Sequence, residues 1–196
     1  RSMKALSIPA LYMSVWLVRS LIFGTLWALN CATNDVDLLS MTQSVGFRMG
    51  GQIADVAIGY SVSNAGDVNG DGRGDFLIGA RRFDLISPSR VDAGIVYVLF
   101  GHIGNVFSDN TLAALTTGPN TGFRILGAAA GDYCGTSVSN AGDVNGDGFD
   151  DIIVGCSQAD LPSRLDIGAA YVIYGRASFT ADVDLASLNF QIGIRI

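Results

Sequence analysis

Two nine-residue segments of the chain carry oxygen-bearing side chains at the spacing of a cation-binding loop. In residues 67–75 and again in residues 143–151, Asp or Asn occupies positions 1, 3, 5 and 9. Carboxylate and amide oxygens suit a hard cation such as Ca²⁺, and neither segment contains the Cys or His that zinc or copper would favour. The side-chain ligands that this pattern predicts are Asp67, Asn69, Asp71 and Asp75 in the first loop, and Asp143, Asn145, Asp147 and Asp151 in the second.

Positions 6 and 7 complete each predicted ligand shell. Position 6 is Gly72 or Gly148, and glycine permits the sharp turn that brings both arms of the loop around an ion. Position 7 is Arg73 or Phe149, which has no side-chain oxygen, so we expect its backbone carbonyl to bind. Because Ca²⁺ takes about six to eight oxygens, a bidentate carboxylate or a water would fill the remaining places. We therefore expect one structural Ca²⁺ per loop.

The loop sequences have two other interpretations. An EF-hand or dockerin loop carries an acidic residue at position 12, where this chain has Ile78 or Val154, and an amphipathic helix would follow it. Here a strand-like segment follows instead, so a β-hairpin loop is favoured. A turn rich in Asp, Asn and Gly that binds no metal is the second alternative. Two copies with all predicted ligands retained argue against it.

The loops belong to an internal repeat. Residues 62–72 recur unchanged as residues 138–148, a displacement of 76 positions, and weaker similarity extends on both sides. We divide the chain into a first repeat at 35–110, a second at 111–181 and the start of a third at 182–196. The third stops before any cation loop and residue 1 is not Met, which indicates a fragment of a longer protein.

Residues 1–34 form an apolar leader that differs from the rest. Between residues 5 and 34 the only charge is Arg19, and an apolar run follows at 21–29. A basic residue before a short apolar centre favours a secretory signal peptide. The run is too short to cross a bilayer alone, and joined to residues 5–18 it would place Arg19 within the membrane. A membrane anchor and an unrelated leader remain the alternatives.

Composition narrows the class of protein and of partner. Charged residues make up 15% of the chain and 25 residues are glycine, which is typical of many short strands joined by tight turns. The net charge of -6 argues against nucleic acid or an anionic membrane as partner. The three cysteines, Cys31, Cys134 and Cys156, have no metal-binding spacing. We favour small buried thiols, with a disulfide between Cys134 and Cys156 as the alternative.

The repeats predict an all-β fold. Short β-branched and aromatic runs at 95–100 and 170–174 are expected to be strands buried on both faces. Strands are also expected at 61–65 and 137–141 before the loops, at 76–78 and 151–154 after them, and at 122–126. About four antiparallel strands per repeat predict β-propeller blades. A parallel β-helix, whose rungs are much shorter than 76 residues, is the main rival.

These motifs resemble the FG-GAP repeats of the integrin α-subunit propeller and of related bacterial surface proteins. Phe100-Gly101 and Tyr174-Gly175 stand at the Phe-Gly positions, and Gly79-Ala80 and Gly155-Cys156 at the Gly-Ala positions. Arg81 replaces a frequent Pro. The resemblance covers residues 35–196 and implies structural Ca²⁺ in the loops, partners bound elsewhere on the propeller, and further blades in the same longer chain.

The resemblance implies an adhesion or interaction module, secreted or on the cell surface, with a protein or surface glycan as ligand and no enzymatic activity. The alternative is an accessory propeller of a secreted hydrolase or phospholipase. No catalytic or cofactor-binding residue is assigned: the single histidine, His102, corresponds to Arg176 in the second repeat. The tripeptide Arg73-Gly74-Asp75 spells a cell-attachment motif, but Asp75 is already needed as a cation ligand.

Overall fold

The computed structural model describes residues 49–50, 56–102, 110–112, 115, 117–118, 121–160 and 164–196. The leader at 1–34, the start of the first repeat and Cys31 lie outside these residues. Within the described part no helix is long and apolar enough to cross a membrane. The regular secondary structure of the described part is almost entirely β-strand, apart from a 3-10 helix at Leu185–Ser187 and a 3-10 turn at Leu112. The prediction of an all-β fold is confirmed.

The strands follow one another along the chain with short connections. They are β1 Met49–Gly50, β2 Ile58–Gly66, β3 Asp75–Ala80, β4 Leu85–Ile86, β5 Ser89–Arg90, β6 Ile95–Leu99, β7 Asn110–Thr111, β8 Gly122–Leu126, β9 Cys134–Gly142, β10 Asp151–Cys156, β11 Ala169–Ile173, β12 Val183–Asp184 and β13 Gly193–Arg195.

Two antiparallel sheets correspond to two propeller blades. The first has the order β12-β8-β6-β3-β2, in which only the pairing of β12 with β8 is parallel. The second has the order β13-β11-β10-β9. Each predicted strand of residues 56–196 is present, and the antiparallel hairpins exclude the parallel β-helix. The described residues form two blades and not a closed ring.

The blades are offset from the sequence repeats. Strand β8 lies in the second repeat as we divided it, yet it pairs with β6 of the first, with Val96 opposite Ile125. Strand β13, near the end of the chain, closes the second sheet in the same way by pairing with β11. Each blade is therefore completed by a strand from the sequence that follows its own repeat. This exchange ties consecutive repeats together.

A hydrophobic core joins the two sheets. Strand β6 is buried along its whole length, and alternate residues serve different faces. Val96 and Val98 join a cluster that also contains Ile152 and Tyr171 of the second sheet. The opposite face of β6, which includes Tyr97, packs in a second cluster. Strand β11 differs from prediction, because Ala169 and Ala170 at its start are only half-buried while its last three residues are buried.

Cys134 and Cys156 form a disulfide, so the interpretation as free thiols was wrong. The two residues lie directly opposite each other on β9 and β10. The corresponding positions of the first blade are Ile58 and Ala80, which are also directly paired. The repeat architecture thus brings these two positions together in both blades, and only the second blade carries a covalent link there.

Candidate metal centre

Both cation loops are the turns of β-hairpins. The first connects β2 to β3, and the second connects β9 to β10. In each hairpin the last residue of the entering strand is glycine, and it pairs with the position-9 aspartate that begins the next strand, as in Gly66 with Asp75. Positions 6 have positive φ, +82° at Gly72 and +90° at Gly148, so a side chain there would strain the turn. The prediction that each loop is a β-hairpin turn with a glycine at its sharpest point is confirmed, whereas the folding of the loop around an ion remains a prediction.

Inside the first loop the acidic side chains bind the backbone of the turn. Asp67 accepts hydrogen bonds from the amides of Asp71 and Gly72, at 3.0 and 2.8 Å. The Asn69 carboxamide accepts from the Asp71 amide, and Asp71 accepts from the amide of Arg73, each at 3.0 Å. These bonds fold the side chains of positions 1, 3 and 5 inward over the turn.

The second loop repeats this pattern. Asp143 accepts from the amides of Asp147 and Gly148, at 3.0 and 2.9 Å, and Asn145 accepts from Asp147 at 3.1 Å. Asp147 accepts from Phe149 at 3.0 Å. The same side chains therefore face the interior of both turns, although position 7 differs between an arginine and a phenylalanine.

Position 9 holds a buried carboxylate in each loop. Asp75 is 2% exposed and Asp151 is fully buried. Asp75 accepts hydrogen bonds from the amides of Val68 and Gly101, both at 2.9 Å. Asp151 accepts from Val144 at 2.9 Å and from Gly175 at 2.8 Å. Asp75 thus links the first loop to the Phe-Gly turn after β6, and Asp151 links the second loop to the Tyr-Gly turn after β11.

The oxygen atoms of each loop are of the kind that binds a hard cation, but in this structure they accept hydrogen bonds from backbone amides. Among the described residues no three Asp, Glu, His or Cys side chains converge closely enough to hold a metal ion. The loop donors are oxygens only, and a carboxylate oxygen that accepts one amide proton keeps a second lone pair for a cation. The residues therefore fit Ca²⁺ by chemistry, and the ligand assignment remains a prediction.

Burial makes an ionised carboxylate at position 9 unfavourable. It raises the pKa of Asp75 to about 6, although the amides of Gly101 and Val68 oppose the shift. The neighbouring Asp71 and Asp67 carboxylates raise it further. Burial likewise raises the pKa of Asp151. At both positions the carboxylates of the same loop add to this effect, Asp71 and Asp67 at Asp75 and Asp147 and Asp143 at Asp151.

In protein stripped of divalent cations, we expect the free energy of unfolding to increase as the pH falls from 7 towards 5. The pKa of Asp75 is about 6 in the folded protein against an ordinary value of 3.8, so the folded state binds this proton more tightly. The destabilisation from the ionised carboxylate is complete above pH 6 and disappears towards pH 4. Urea denaturation in metal-free buffer measures the effect. Asp75→Asn should reduce the pH slope, and an unchanged slope would contradict the assignment.

The Arg73-Gly74-Asp75 triplet is not available as an attachment motif. The Asp75 carboxylate is buried and bonded to two amides, while Arg73 forms an exposed ion pair with Asp71, N to O 3.2 Å. A partner that reads an extended Arg-Gly-Asp tripeptide needs the aspartate in solvent. The burial of Asp75 therefore argues against the attachment motif, and its role as a cation ligand remains a prediction.

The two loops touch each other, which the sequence analysis did not anticipate. The Asp150 carboxylate of the second loop accepts a hydrogen bond from the Asp67 amide of the first, at 2.7 Å. The ring of Phe149 lies against Gly70, where a Cβ atom would not fit. The first repeat has Gly74 in place of Asp150, so the position looked variable. The only sequence signal for this contact was the additional acidic residue, Asp150, at position 8 of the second loop.

Comparisons with known proteins agree with these features. A family model described as FG-GAP repeat matches residues 54–99 and 135–173. Integrin alpha-5 of Xenopus laevis is 32% identical over 145 residues, which cover 73% of this chain and 12% of that protein. Integrin alpha-E of Mus musculus is 34% identical over 107 residues, covering 54% and 8%. Phosphatidylinositol-glycan-specific phospholipase D of Bos taurus is 31% identical over 119 residues, covering 60% and 13%.

Proposed function

The chain is an FG-GAP repeat protein similar to integrin α subunits, and from that premise we propose that it is a calcium-binding propeller module for extracellular adhesion or protein interaction. The matched part spans 8–13% of the length of those relatives, so the activity and partners of the whole protein form part of the proposal. The module itself is proposed to be non-enzymatic.

The observation that carries the proposal is the identical construction of the two loops. Both place four oxygen-bearing side chains at the same positions, fold three of them inward through the same amide hydrogen bonds and bury the fourth. A duplicated arrangement within two packed blades favours a structural role over an active site.

Each loop would hold its ion with the side chains predicted above and with the carbonyl of Arg73 or Phe149. Calcium supplies positive charge to a turn that otherwise carries three carboxylates. The chain's own contribution is orientation, because the hydrogen bonds of Asp67 and Asp143 close the turn and Asp75 and Asp151 attach it to the strand end. The bound loops would therefore stabilise the contact between neighbouring blades.

The proposed setting is the cell surface or the extracellular space. The Cys134–Cys156 disulfide supports it, since such bonds persist mainly in oxidising compartments. We propose a protein or a surface glycan as ligand, together with further blades of the same longer chain. Binding at exposed loops is consistent with a repeated core whose connections vary between the two blades.

The second candidate is an accessory propeller of a secreted hydrolase or phospholipase. The similarity to phosphatidylinositol-glycan-specific phospholipase D favours it. In this case catalysis would depend on residues outside the two blades. Deleting residues 56–196 from the full-length protein would then impair substrate engagement in a hydrolase assay, whereas an adhesion module would lose cell attachment and have no hydrolase activity to impair.

Calcium titration tests the proposed sites. Isothermal titration calorimetry of the wild-type chain should show two calcium ions, and the double variant Asp71→Ala, Asp147→Ala should show none, because each change removes a central loop carboxylate. The matched control is Asp84→Ala, Asp160→Ala, which removes a repeated pair of exposed aspartates that accept from the amides of Asp92 and Asp166. Two ions bound by the loop variant, or none by wild type, would contradict the proposal.

A further inference from the structure

A cavity of about 230 Å³ lies beyond β11, outside both cation loops. It is bordered by residues between positions 176 and 192, among which Arg176 is the only cation. Three hydroxyl side chains also line it, those of Ser178, Thr180 and Ser187. The cavity therefore combines a positive charge with several hydrogen-bonding groups, and nothing in the proposed role of the loops uses it.

Arg176 is fixed in place from two sides. Its backbone amide donates to the carbonyl of Val68 in the first cation loop, at 2.9 Å. Its guanidinium lies over the ring of Phe179, 4.6 Å from the centroid. Phe179 is itself buried and stacks on Phe123 at a centroid distance of 3.8 Å. The guanidinium is thus supported by a rigid aromatic platform at the wall of the cavity.

The Arg176 side chain lacks an anionic partner among the described residues. Its buried Nε has no hydrogen-bond acceptor, and it forms none of the described ion pairs. Burial lowers the pKa of the guanidinium, and no nearby carboxylate offsets this. A desolvated cation with an unused donor is unfavourable unless an acceptor is supplied.

The two acidic residues of the cavity wall do not act as hydrogen-bond acceptors for Arg176. Asp184 accepts from both terminal nitrogens of Arg90, each at 2.8 Å. Asp182 accepts from the guanidinium of Arg124 and from the Thr117 hydroxyl. The pKa of both aspartates is held below its ordinary value by these arginines, although burial opposes the shift at each. Their charges are therefore compensated, and that of Arg176 is not.

We propose that this cavity binds a single carboxylate group on Arg176, with the hydroxyls of Ser178 and Thr180 as further donors. A guanidinium presents paired N–H groups that match the two oxygens of a carboxylate. The single uncompensated positive charge matches one negative charge. A doubly charged phosphate would fit less well in a wall that already contains Asp182 and Asp184.

Comparison of the two repeats indicates that the Arg176 side chain is not required to form a blade. The corresponding residue of the first blade is His102, after Gly101. The glycine before Arg176 recurs in the first blade as Gly101, whereas the guanidinium occurs only in the second. The proposed site is accordingly specific to the second of the two blades, although the Arg176 backbone contacts the first cation loop through Val68.

Carboxylate titration of the full chain at a fixed calcium concentration tests the proposal. The probes are acetate, a blocked Gly-Glu-Gly peptide, its Gly-Gln-Gly counterpart and inorganic phosphate, followed by calorimetry or chemical-shift changes. We expect saturable binding of acetate and of the Glu peptide, and no binding of the Gln peptide. Tighter binding of the Glu peptide than of acetate identifies a protein side chain as the source, and equal binding identifies a free acid.

Three variants decide whether Arg176 is responsible. Arg176→Gln should weaken acetate binding by about 10-fold or more, as expected for loss of a charge-assisted hydrogen bond. Arg176→Lys should give intermediate binding because the charge remains without the planar fork. Arg81→Gln is the matched control, since Arg81 also stacks on an aromatic ring and has an unpaired Nε but lies outside this cavity. Equal binding by Arg176→Gln and wild type, equal losses in the Arg81 variant, or tighter binding of phosphate would overturn the proposal.

Discussion

Removing calcium from the protein should lower its melting temperature by about 10–20 °C at neutral pH. A ligand present at about 100 times its dissociation constant stabilises the folded state by about 2.7 kcal/mol per site, so two sites give about 5 kcal/mol. For a domain of this size, each kcal/mol shifts the melting temperature by about 2–4 °C. The physical source is the charge of each loop, which has three carboxylates, one of them buried and repelled by the other two.

Differential scanning calorimetry with calcium and with a chelator measures this effect. The Asp71→Ala, Asp147→Ala variant supplies the control, because its melting temperature should be insensitive to calcium. Magnesium at the same concentration should restore less stability, since it requires stricter octahedral geometry and keeps its water more firmly. Equal melting temperatures of the wild type with and without chelator would remove the structural role assigned to the ions.

Reducing the Cys134–Cys156 disulfide should cost about 3 kcal/mol of stability. The bond closes a chain segment with a sequence separation of 22 residues, and the entropy lost by the unfolded chain on closing a loop of that size corresponds to about this value. Strands β9 and β10 flank the second cation loop. Reduction should therefore also destabilise that loop.

Urea denaturation with and without reductant gives the magnitude. The variant Cys134→Ala, Cys156→Ala should match the reduced wild type and should not respond to reductant. The first blade provides the structural precedent, since Ile58 and Ala80 occupy the same pair of positions without a covalent bond. A wild type whose stability is indifferent to reductant would show that the disulfide is absent from the folded protein in solution.

The architecture was largely predictable because its signals are local and repeated. The strands around residues 95–100 and 122–126 follow from β-branched and aromatic runs between glycines, and the loop turns follow from Gly72 and Gly148. Because these patterns recur 76 positions apart, the sequence also predicts two repeated blades. The burial of Asp75 and Asp151 also follows from the pattern, since each begins a strand that enters the core.

The features that escaped prediction depend on contacts between segments that are distant in the sequence. The exchange of β8 and β13 into the preceding sheets depends on pairing across a repeat boundary, which periodicity within one repeat does not specify. The Asp150 bond to the Asp67 amide joins residues 83 positions apart, and the first repeat has a glycine at that place. The disulfide lies within the second blade. Free thiols were favoured over it because spacing alone does not say which cysteines face each other.

The central claim is that each loop holds one calcium ion through its own oxygens, and anomalous X-ray diffraction from crystals grown with calcium tests it most directly. We expect one peak within each loop, at about 2.3–2.6 Å from oxygens of positions 1, 3, 5 and 9 and from the carbonyl of Arg73 or Phe149. Loops that show no peak at saturating calcium, or peaks bound by other residues, would contradict the account.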